Sequence, residues 1–281
     1  MSISYYAPTT LDALCACLSG DTEGLHILGG GTDLTIALRE KNKRPRAILQ
    51  LSNLPEAQGI RWVGDYLEIG SAVTMRELAQ APELISAYAA LTHAAGEVGS
   101  EQIRSTATIG GNIANAAPGA DTLPPLLLLN AQVLIASPAG TAWRSLESIL
   151  PGGVRLTSRE AIVSIRLPAP TEGWTSAFHK LGGRKMVTIS RLSLALGLRL
   201  EGGVVCDCRA CAGAVGLRPL EVEAVCELNG FALGEAADEV LGEVLQDFVR
   251  QTIAERASMP YKSWAAKAVA ADVMAKLRVM L

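Results

Sequence analysis

The chain has 281 residues, 49% of them apolar and 19% charged, with a net charge of −3. That length buries a sizeable core and divides by ordinary domain sizes into two domains, or one large and one smaller, while the composition excludes a disordered chain. A weakly acidic chain with no basic stripe is not a general nucleic-acid binder, and the longest apolar run near the middle, Leu126–Leu129, falls far short of the ~18 residues a membrane span needs.

The first residues, Met1–Tyr6, have neither the basic nor the apolar region of a secretory signal, which points to a cytoplasmic protein. Its six cysteines, at 15, 17, 206, 208, 211 and 226, are then expected to be reduced. Leu11, Leu14, Cys15 and Leu18 follow Pro8-Thr9-Thr10 at helical spacing, with a threonine N-cap. Gly24–Leu28 and Ala47–Leu51 read as buried strands, and Leu34–Glu40 as a helix. Arg61–Gly70 alternates around Gly64-Asp65, a hairpin signal. Thr74 and Glu77 have the spacing of a capping box. Leu84–Val98 reads as one alanine-rich helix, and Gly99–Pro125 as a stretch without regular periodicity. Gln132–Ser137 and Glu160–Leu167 are strand-like. Pro168–Gly173 is the best linker, placing a domain boundary near 172. Beyond it, Ser190–Leu200 and Val204–Gly213 read as strands. Asp238–Ala257 and Tyr261–Leu281 read as amphipathic helices, with apolar stripes at 240, 241, 244, 245, 248, 249 and 253 and at 261, 264, 265, 268, 269, 273, 274 and 277.

Two glycine segments carry the chemistry. Ile27-Leu28-Gly29-Gly30-Gly31-Thr32-Asp33-Leu34 joins a strand to a helix. Glycine lets backbone approach a ligand, and successive N–H groups at such a junction form an anion site suited to a pyrophosphate. It lacks the Gly-Lys-Ser/Thr ending of a P-loop and the GxGxxG fingerprint, and by itself reads equally as a tight turn. The second segment begins Thr108-Ile109-Gly110-Gly111-Asn112 and carries no charge before Asp121. It offers backbone and amide hydrogen bonds without repelling a phosphate; the competing reading is a loop packed by its own residues.

Together with Gln102–Ile113 and Pro118…Asp121, these segments resemble the FAD-binding subunit of the molybdenum hydroxylases, the xanthine, carbon monoxide and nicotinate dehydrogenase type. The resemblance continues through Phe178-His179-Lys180-Leu-Gly-Gly-Arg184-Lys185, Gly213–Pro219 and Ser258-Met-Pro-Tyr261-Lys262, in order and over nearly the whole chain. It implies an α+β fold. A two-part FAD domain of the vanillyl-alcohol-oxidase type (1–56 and 57–172) would precede a C-terminal flavoprotein domain (173–281) of a small antiparallel sheet with helices. It implies non-covalent FAD held by Ile27, Leu28, Gly29, Gly30, Gly31, Thr32, Asp33 and Leu34 and by Thr108, Ile109, Gly110, Gly111 and Asn112. Asp121 would bond the adenosine end, Ile162 would pack on the adenine side, and Lys180 would sit near the flavin ring. Arg184 and Lys185 could serve a pyridine nucleotide or a partner subunit. The resemblance further implies a complex in which a molybdopterin subunit oxidises the substrate. Electrons would pass through [2Fe–2S] clusters of a small subunit to FAD and then to an external acceptor such as NAD(P).

Other readings compete with parts of this one. Cys206-x-Cys208-x-x-Cys211 invites a metal site, but three thiolates fall short of the usual four. The alternation of Val204–Cys208 makes them strand residues, with Cys206 and Cys208 on one face. His93 and His179 read as surface or packing residues, with nothing to place them beside a carboxylate. The stripes of the last two helices read as core, with a share available to partner subunits. A stand-alone FAD oxidase acting on a small organic substrate is the alternative function, although no acid–base cluster for it stands out.

Overall fold

The computed structural model describes residues 3–40, 45–152, 156–184 and 187–281. In chain order the elements are β1 (Ser4–Tyr6), α1 (Leu11–Ser19), β2 (Leu25–Leu28), α2 (Leu34–Glu40), β3 (Ala47–Gln50), β4 (Ile60–Val63), β5 (Tyr66–Gly70), α3 (Met75–Gln80), α4 (Ala89–Gly96), α5 (Glu101–Arg104), α6 (Ile109–Asn115), α7 (Leu123–Leu128), β6 (Gln132–Ser137), β7 (Gly140–Ser145), α8 (Leu146–Ile149), β8 (Ala161–Pro168), β9 (Trp174–Leu181), β10 (Leu192–Glu201), β11 (Val204–Gly213), β12 (Leu220–Glu221), α9 (Glu235–Thr252) and α10 (Met259–Met280). They pack as two compact units. The first is Met1–Glu77, Glu101–Ala116 and Asn130–Ala169; the second is Leu78–Ser100, Ala117–Leu129 and Pro170–Leu281. The chain therefore changes unit at Ala169, close to the linker read from its prolines, but two earlier segments also join the second unit.

The first unit holds a parallel three-stranded sheet, β1-β3-β2, and an antiparallel five-stranded sheet, β4-β5-β8-β6-β7. Thr10 caps α1 by accepting from the Ala13 N–H at 3.2 Å. This fixes the rotation at which Leu14 and Leu18 enter a core with Leu25 and Leu49 of the small sheet and Ala136, Ala161 and Val163 of the large one. The Thr74–Glu77 box forms as expected. The Glu77 carboxylate accepts from the Thr74 N–H at 2.7 Å, and Thr74 Oγ1 accepts from the Glu77 N–H at 3.2 Å.

In the second unit the order is β12-β11-β10-β9, all antiparallel. Both faces of this sheet are covered. Leu192, Leu194, Leu196 and Leu198 face α9 and α10, whereas Ala195, Phe178 and Cys211 pack with Ala90, Ala94 and Leu128 of α4 and α7. This is why the segments carrying α4 and α7 belong here: without them one apolar face would meet water.

Three sequence readings change. Leu84–Val98 is not one helix. Ser86 has φ 58°, a left-handed conformation that interrupts it, and the α-helix starts only at Ala89. Gly99–Pro125 is not irregular; it contains α5, α6 and α7. Each is too short to show a stripe, and local caps start them: Thr108 on α6, and prolines in the first turn of α7. In β11 a bulge opposite Arg199/Leu200 breaks the alternation. Val205 and Cys208 both enter the core, while Cys206 Sγ turns to the Arg199 carbonyl, so the two cysteines do not share the expected face. Burial and the neighbouring Asp207 push the Cys208 thiol up to about 11. His179, expected to lack a carboxylate neighbour, lies 3.2 Å from Asp272. Burial and then Lys276 nevertheless lower its pKa, against the pull of Asp272.

Candidate functional site

The parallel strand β2 ends at Leu28 and delivers Gly29–Asp33 to the surface ahead of α2. Gly31 has φ +71°, which a side chain would oppose. The N–H groups of Gly30, Gly31 and Thr32 donate no hydrogen bond among the described residues. A half-buried turn with unpaired donors is a ready anion seat.

The second glycine segment meets the first directly. A Cβ at Gly29 would lie 2.6 Å from Thr108 Oγ1. One at Gly30 would overlap the Thr106 carbonyl and stand 2.9 Å from Ala107 Cα. Gly110 is packed as tightly, its Cβ position 2.5 Å from that of Ser71. The segment expected as a loop is the first turn of α6, with Thr108 as N-cap accepting from the Gly111 N–H at 3.2 Å. The two segments are also tied by Asn115 Nδ2, which donates to Asp33 Oδ1 at 3.1 Å.

A cleft runs along this seam as two hollows. One, about 310 Å³, is lined by Ile27–Gly30, Thr108, Gly110 and Gly111, and beyond them by Ser52, Ser71, Ser105 and Ile162. The other, about 300 Å³, takes in Gly29–Leu34, Thr108, Gly111 and Asn112. They share Ile27, Gly29, Gly30, Thr108, Gly111 and Ala114, so the glycine seam forms the ridge between them. Among the described residues, one carboxylate lines each hollow. Glu160, in the first, is held by Arg144 at 2.6 Å and the Thr157 N–H at 2.9 Å. Burial would raise its pKa, but these partners together hold it below the usual carboxylate range. Asp33 lines the second.

These residues fit a dinucleotide. Ser71 lines the first hollow, and its buried hydroxyl has no partner among the described residues. With the unpaired N–H groups of Gly30–Thr32 it offers donors that a phosphate-bearing ligand would satisfy. The two hollows leave room on either side of the seam for two ring systems.

The sequence-predicted residues divide into two sets. Ile27–Leu34, Thr108, Gly110, Gly111, Asn112 and Ile162 line the cleft. Ile109, expected to contact the cofactor, is fully buried in α6 with its N–H donated to the Val73 carbonyl at 3.0 Å, and it is not among the residues lining either hollow. Asp121 and Lys180 belong to the second unit and are paired with each other at 2.6 Å. Lys180 Nζ also donates to the carbonyls of Glu97 (2.8 Å) and Thr188 (3.2 Å), which occupies all three of its donors. Ser190 Oγ donates to the other Asp121 oxygen at 2.5 Å. Burial pushes the Asp121 carboxyl up, and Lys180 pulls it back. Arg184 donates to the Val187 carbonyl, while Lys185 lies outside the described residues. Sequence reasoning missed Ser52, Ser71 and Ser105. The only available signal was their proximity to the quoted motifs, since serine at a strand end is common.

Residues 1–170 match the FAD binding domain in molybdopterin dehydrogenase. The putative xanthine dehydrogenase FAD-binding subunit XdhB of Escherichia coli (strain K12) is 35% identical over 225 residues, 78% of this chain and 76% of that protein. The nicotinate dehydrogenase FAD-subunit of Eubacterium barkeri is 29% identical over 266 residues, 92% of this chain and 90% of that one. Among solved structures, a carbon monoxide dehydrogenase from Hydrogenophaga pseudoflava which lacks the Mo-pyranopterin moiety of the molybdenum cofactor superposes with a TM-score of 0.85. It is 25% identical and covers 100% of this chain and 98% of its own. With the family match spanning more than half of the sequence and the glycine cleft inside it, the chain belongs to the FAD-binding family of the molybdopterin dehydrogenases and is a flavoprotein component of an oxidoreductase.

Proposed function

We propose that this chain is the FAD subunit of a cytoplasmic molybdenum hydroxylase complex. It would receive electrons from [2Fe–2S] clusters of a small partner subunit and pass them to an external acceptor such as NAD(P). A large subunit holding the molybdenum cofactor would oxidise the substrate. The observation that carries the reading is the glycine seam, where unpaired N–H groups of Gly30–Thr32 lie between two hollows that are each lined by a single carboxylate among the described residues. The relatives named as FAD subunits of xanthine and nicotinate dehydrogenases support it.

Gly29–Thr32 are proposed to hold the pyrophosphate through backbone, with Thr108–Gly111, whose N–H groups at 109, 110 and 111 are donated to Val73, Ser71 and Thr108, packed beside it to complete the cleft, and Ile162 to pack on the adenine. Bound FAD would supply a redox centre able to exchange electrons with both iron–sulfur and nicotinamide carriers. Lys180 has its donors occupied by protein, so its proposed effect on reduced flavin is through-space attraction, with Asp121 and Ser190 fixing its position. The flavin is proposed to be non-covalent, a reading supported by the lining of the two hollows, which among the described residues includes no histidine, cysteine or tyrosine.

The test is purification through a tag on this chain from cells expressing its partner genes. The expected result is a yellow complex containing molybdenum and iron–sulfur subunits, whose flavin is released completely on denaturation and whose reduced flavin is reoxidised by NAD or NADP. A chain that binds FAD but purifies alone, and oxidises a small organic substrate by itself, would replace this reading with the stand-alone oxidase.

A further inference from the structure

Lys180 is buried, and its ammonium is held at three points: the Asp121 carboxylate at 2.6 Å, the Glu97 carbonyl at 2.8 Å and the Thr188 carbonyl at 3.2 Å. The Glu97 anchor is the end of α4, whose C-cap it forms. Glu97 is itself held from another side. Its carboxylate accepts from Lys276 Nζ at 3.2 Å, and the same ammonium donates to the Phe178 carbonyl at 2.8 Å. Phe178 lies two residues before Lys180 on β9. Lys276, on α10, therefore ties the strand that carries Lys180 to the helix end that receives it. All of these residues belong to the second unit.

A lysine on an exposed helix face keeps its ammonium in water, and an ion pair there contributes little. Lys276 instead turns its charge onto backbone as well as onto a carboxylate. Its surroundings keep that charge single. His93 of α4 and His179 of β9 lie close enough to feel it. Burial and then Lys276 lower both histidine pKa values, against Glu97 and, for His179, against Asp272 as well. The Nδ1 atom of each is buried without a partner among the described residues. Asp272, one turn before Lys276 on α10, lies 3.2 Å from the other nitrogen of His179. Tyr88, just before α4, is kept a neutral phenol by burial, which pushes it up to about 12. Strand β10 sets Leu194 opposite His179, and α7, packed on α4, has no titratable residue. With both histidines neutral, the Glu97 carboxylate and the Phe178 carbonyl meet Lys276 without a competing imidazolium.

We propose that Lys276 is a positioning residue for the electron-transfer chemistry of this chain: by bridging the Phe178 carbonyl and the Glu97 carboxylate it fixes the end of α4 against β9, and so holds the Lys180 ammonium in the place from which it attracts reduced flavin. The inference rests on that proposed attraction. Attraction between charges falls with their separation. A cation on a flexible four-carbon stem therefore acts reproducibly on a nearby anion when its anchors are fixed. Asp121 and Thr188 supply two anchors of Lys180; the third depends on where α4 ends, and Lys276 places that end from α10. The opposing account makes Lys276 one more positive charge, acting through space or merely stabilising the fold. The two accounts differ in sign at Glu97. Removing that carboxylate takes away a negative charge, which through space stabilises reduced flavin, whereas losing the bridge withdraws Lys180 and destabilises it.

The test is spectroelectrochemical titration of the FAD-loaded full-length chain, with flavin content and melting temperature measured alongside. The variants are Lys276→Met, Lys276→Arg, Glu97→Ala and, as a charge control, Lys267→Met, which removes an α10 lysine paired with Glu243 instead. Lys180→Met and Asp121→Asn are references: if their pair acts on the flavin, the first lowers the midpoint potential and the second raises it. The expected result is a potential lowered by Lys276→Met, in the direction of Lys180→Met and by a smaller amount. Lys276→Arg should return it close to wild type, since a guanidinium can donate to both oxygens. Glu97→Ala should lower it, and Lys267→Met should leave it unchanged. A wild-type potential in Lys276→Met, even with a lower melting temperature, would overturn the inference. So would an unchanged or raised potential in Glu97→Ala, or equal shifts in Lys276→Met and Lys267→Met. In each of these cases a shift in the references leaves the reading of Lys180 standing. Wild-type potentials in both references, or in Asp121→Asn where Lys180→Met does not retain flavin, would overturn that reading and the inference with it.

Discussion

Replacing Gly30 with alanine isolates what the glycine seam does. The added methyl would overlap the Thr106 carbonyl oxygen and stand 2.5 Å from its carbon and 2.9 Å from Ala107 Cα. Carbon atoms in contact sit at about 3.5 Å, so the two backbones must part by about 1 Å. Neither side of this contact is a flexible side chain that could swing away. Overpacking of this kind costs about 1–3 kcal/mol of stability. Parting the segments also displaces the unpaired N–H groups of Gly30–Thr32 from Thr108–Gly111. If both segments hold FAD, losing the alignment of two or three phosphate hydrogen bonds at about 1.5 kcal/mol each weakens binding by about 100-fold or more. The same substitution at Gly111 meets only Thr108 Oγ1, at 3.1 Å, a hydroxyl that can rotate. It should cost little beyond the N-cap, about 1 kcal/mol. The glycine pattern alone gave both positions equal weight; the packing separates them. Flavin fluorescence titration of the apoprotein, with thermal melts of each variant, reads both quantities. Wild-type FAD affinity and melting temperature in Gly30→Ala, or a larger loss in Gly111→Ala, would refute the close-packed seam as the binding element.

Further outcomes follow from buried groups. Lys180→Met leaves the Asp121 carboxylate buried without its cation, and should cost about 3–5 kcal/mol in urea unfolding. Adding Asp121→Asn should recover part of the loss, and no recovery would mean the pair is not the cause. Glu160→Gln removes a carboxyl held below its ordinary value of 4.5. A depressed acid stabilises the fold above that value and loses its contribution as pH falls through the lower folded one. The variant should therefore melt below wild type at pH 7 and converge with it in acid, and a constant offset across pH would rule this out. Cys208, raised to about 11 and buried, should resist iodoacetamide at pH 8 while exposed Cys226 is labelled. Peptide mapping by mass spectrometry that finds equal labelling would contradict the burial.

Much of the fold was legible because its signals are local. The Thr10 cap, the Gly64-Asp65 hairpin and the Thr74–Glu77 box depend on residues at most four apart, and each forms as read. The long stripes of α9 and α10 were legible too, because a helix of 18 or 22 residues repeats its pattern several times. The short helices α5, α6 and α7 were not, since four to seven residues hold at most two turns. The bulge in β11 escaped because an extra residue appears only when the partner strand is known.

For function, the sequence by itself indicated the ligand class through its motifs and the family they resemble. Glycine runs with few charges pointed to a phosphate-bearing ligand, and the resemblance carried by these and the later motifs implied FAD. Only the tertiary structure decided how the pieces act. It closed the two glycine segments, some eighty residues apart, into one seam, because Gly29 and Gly30 let the first segment approach Thr106, Ala107 and Thr108 ahead of α6. It joined Asp121 to Lys180, since a carboxylate and an ammonium that are both removed from water are stable only as partners. It also turned Tyr261 and Trp264 outward. Helical periodicity fixes which residues share a face, but how far the neighbouring sheet extends decides which turns of that face are covered.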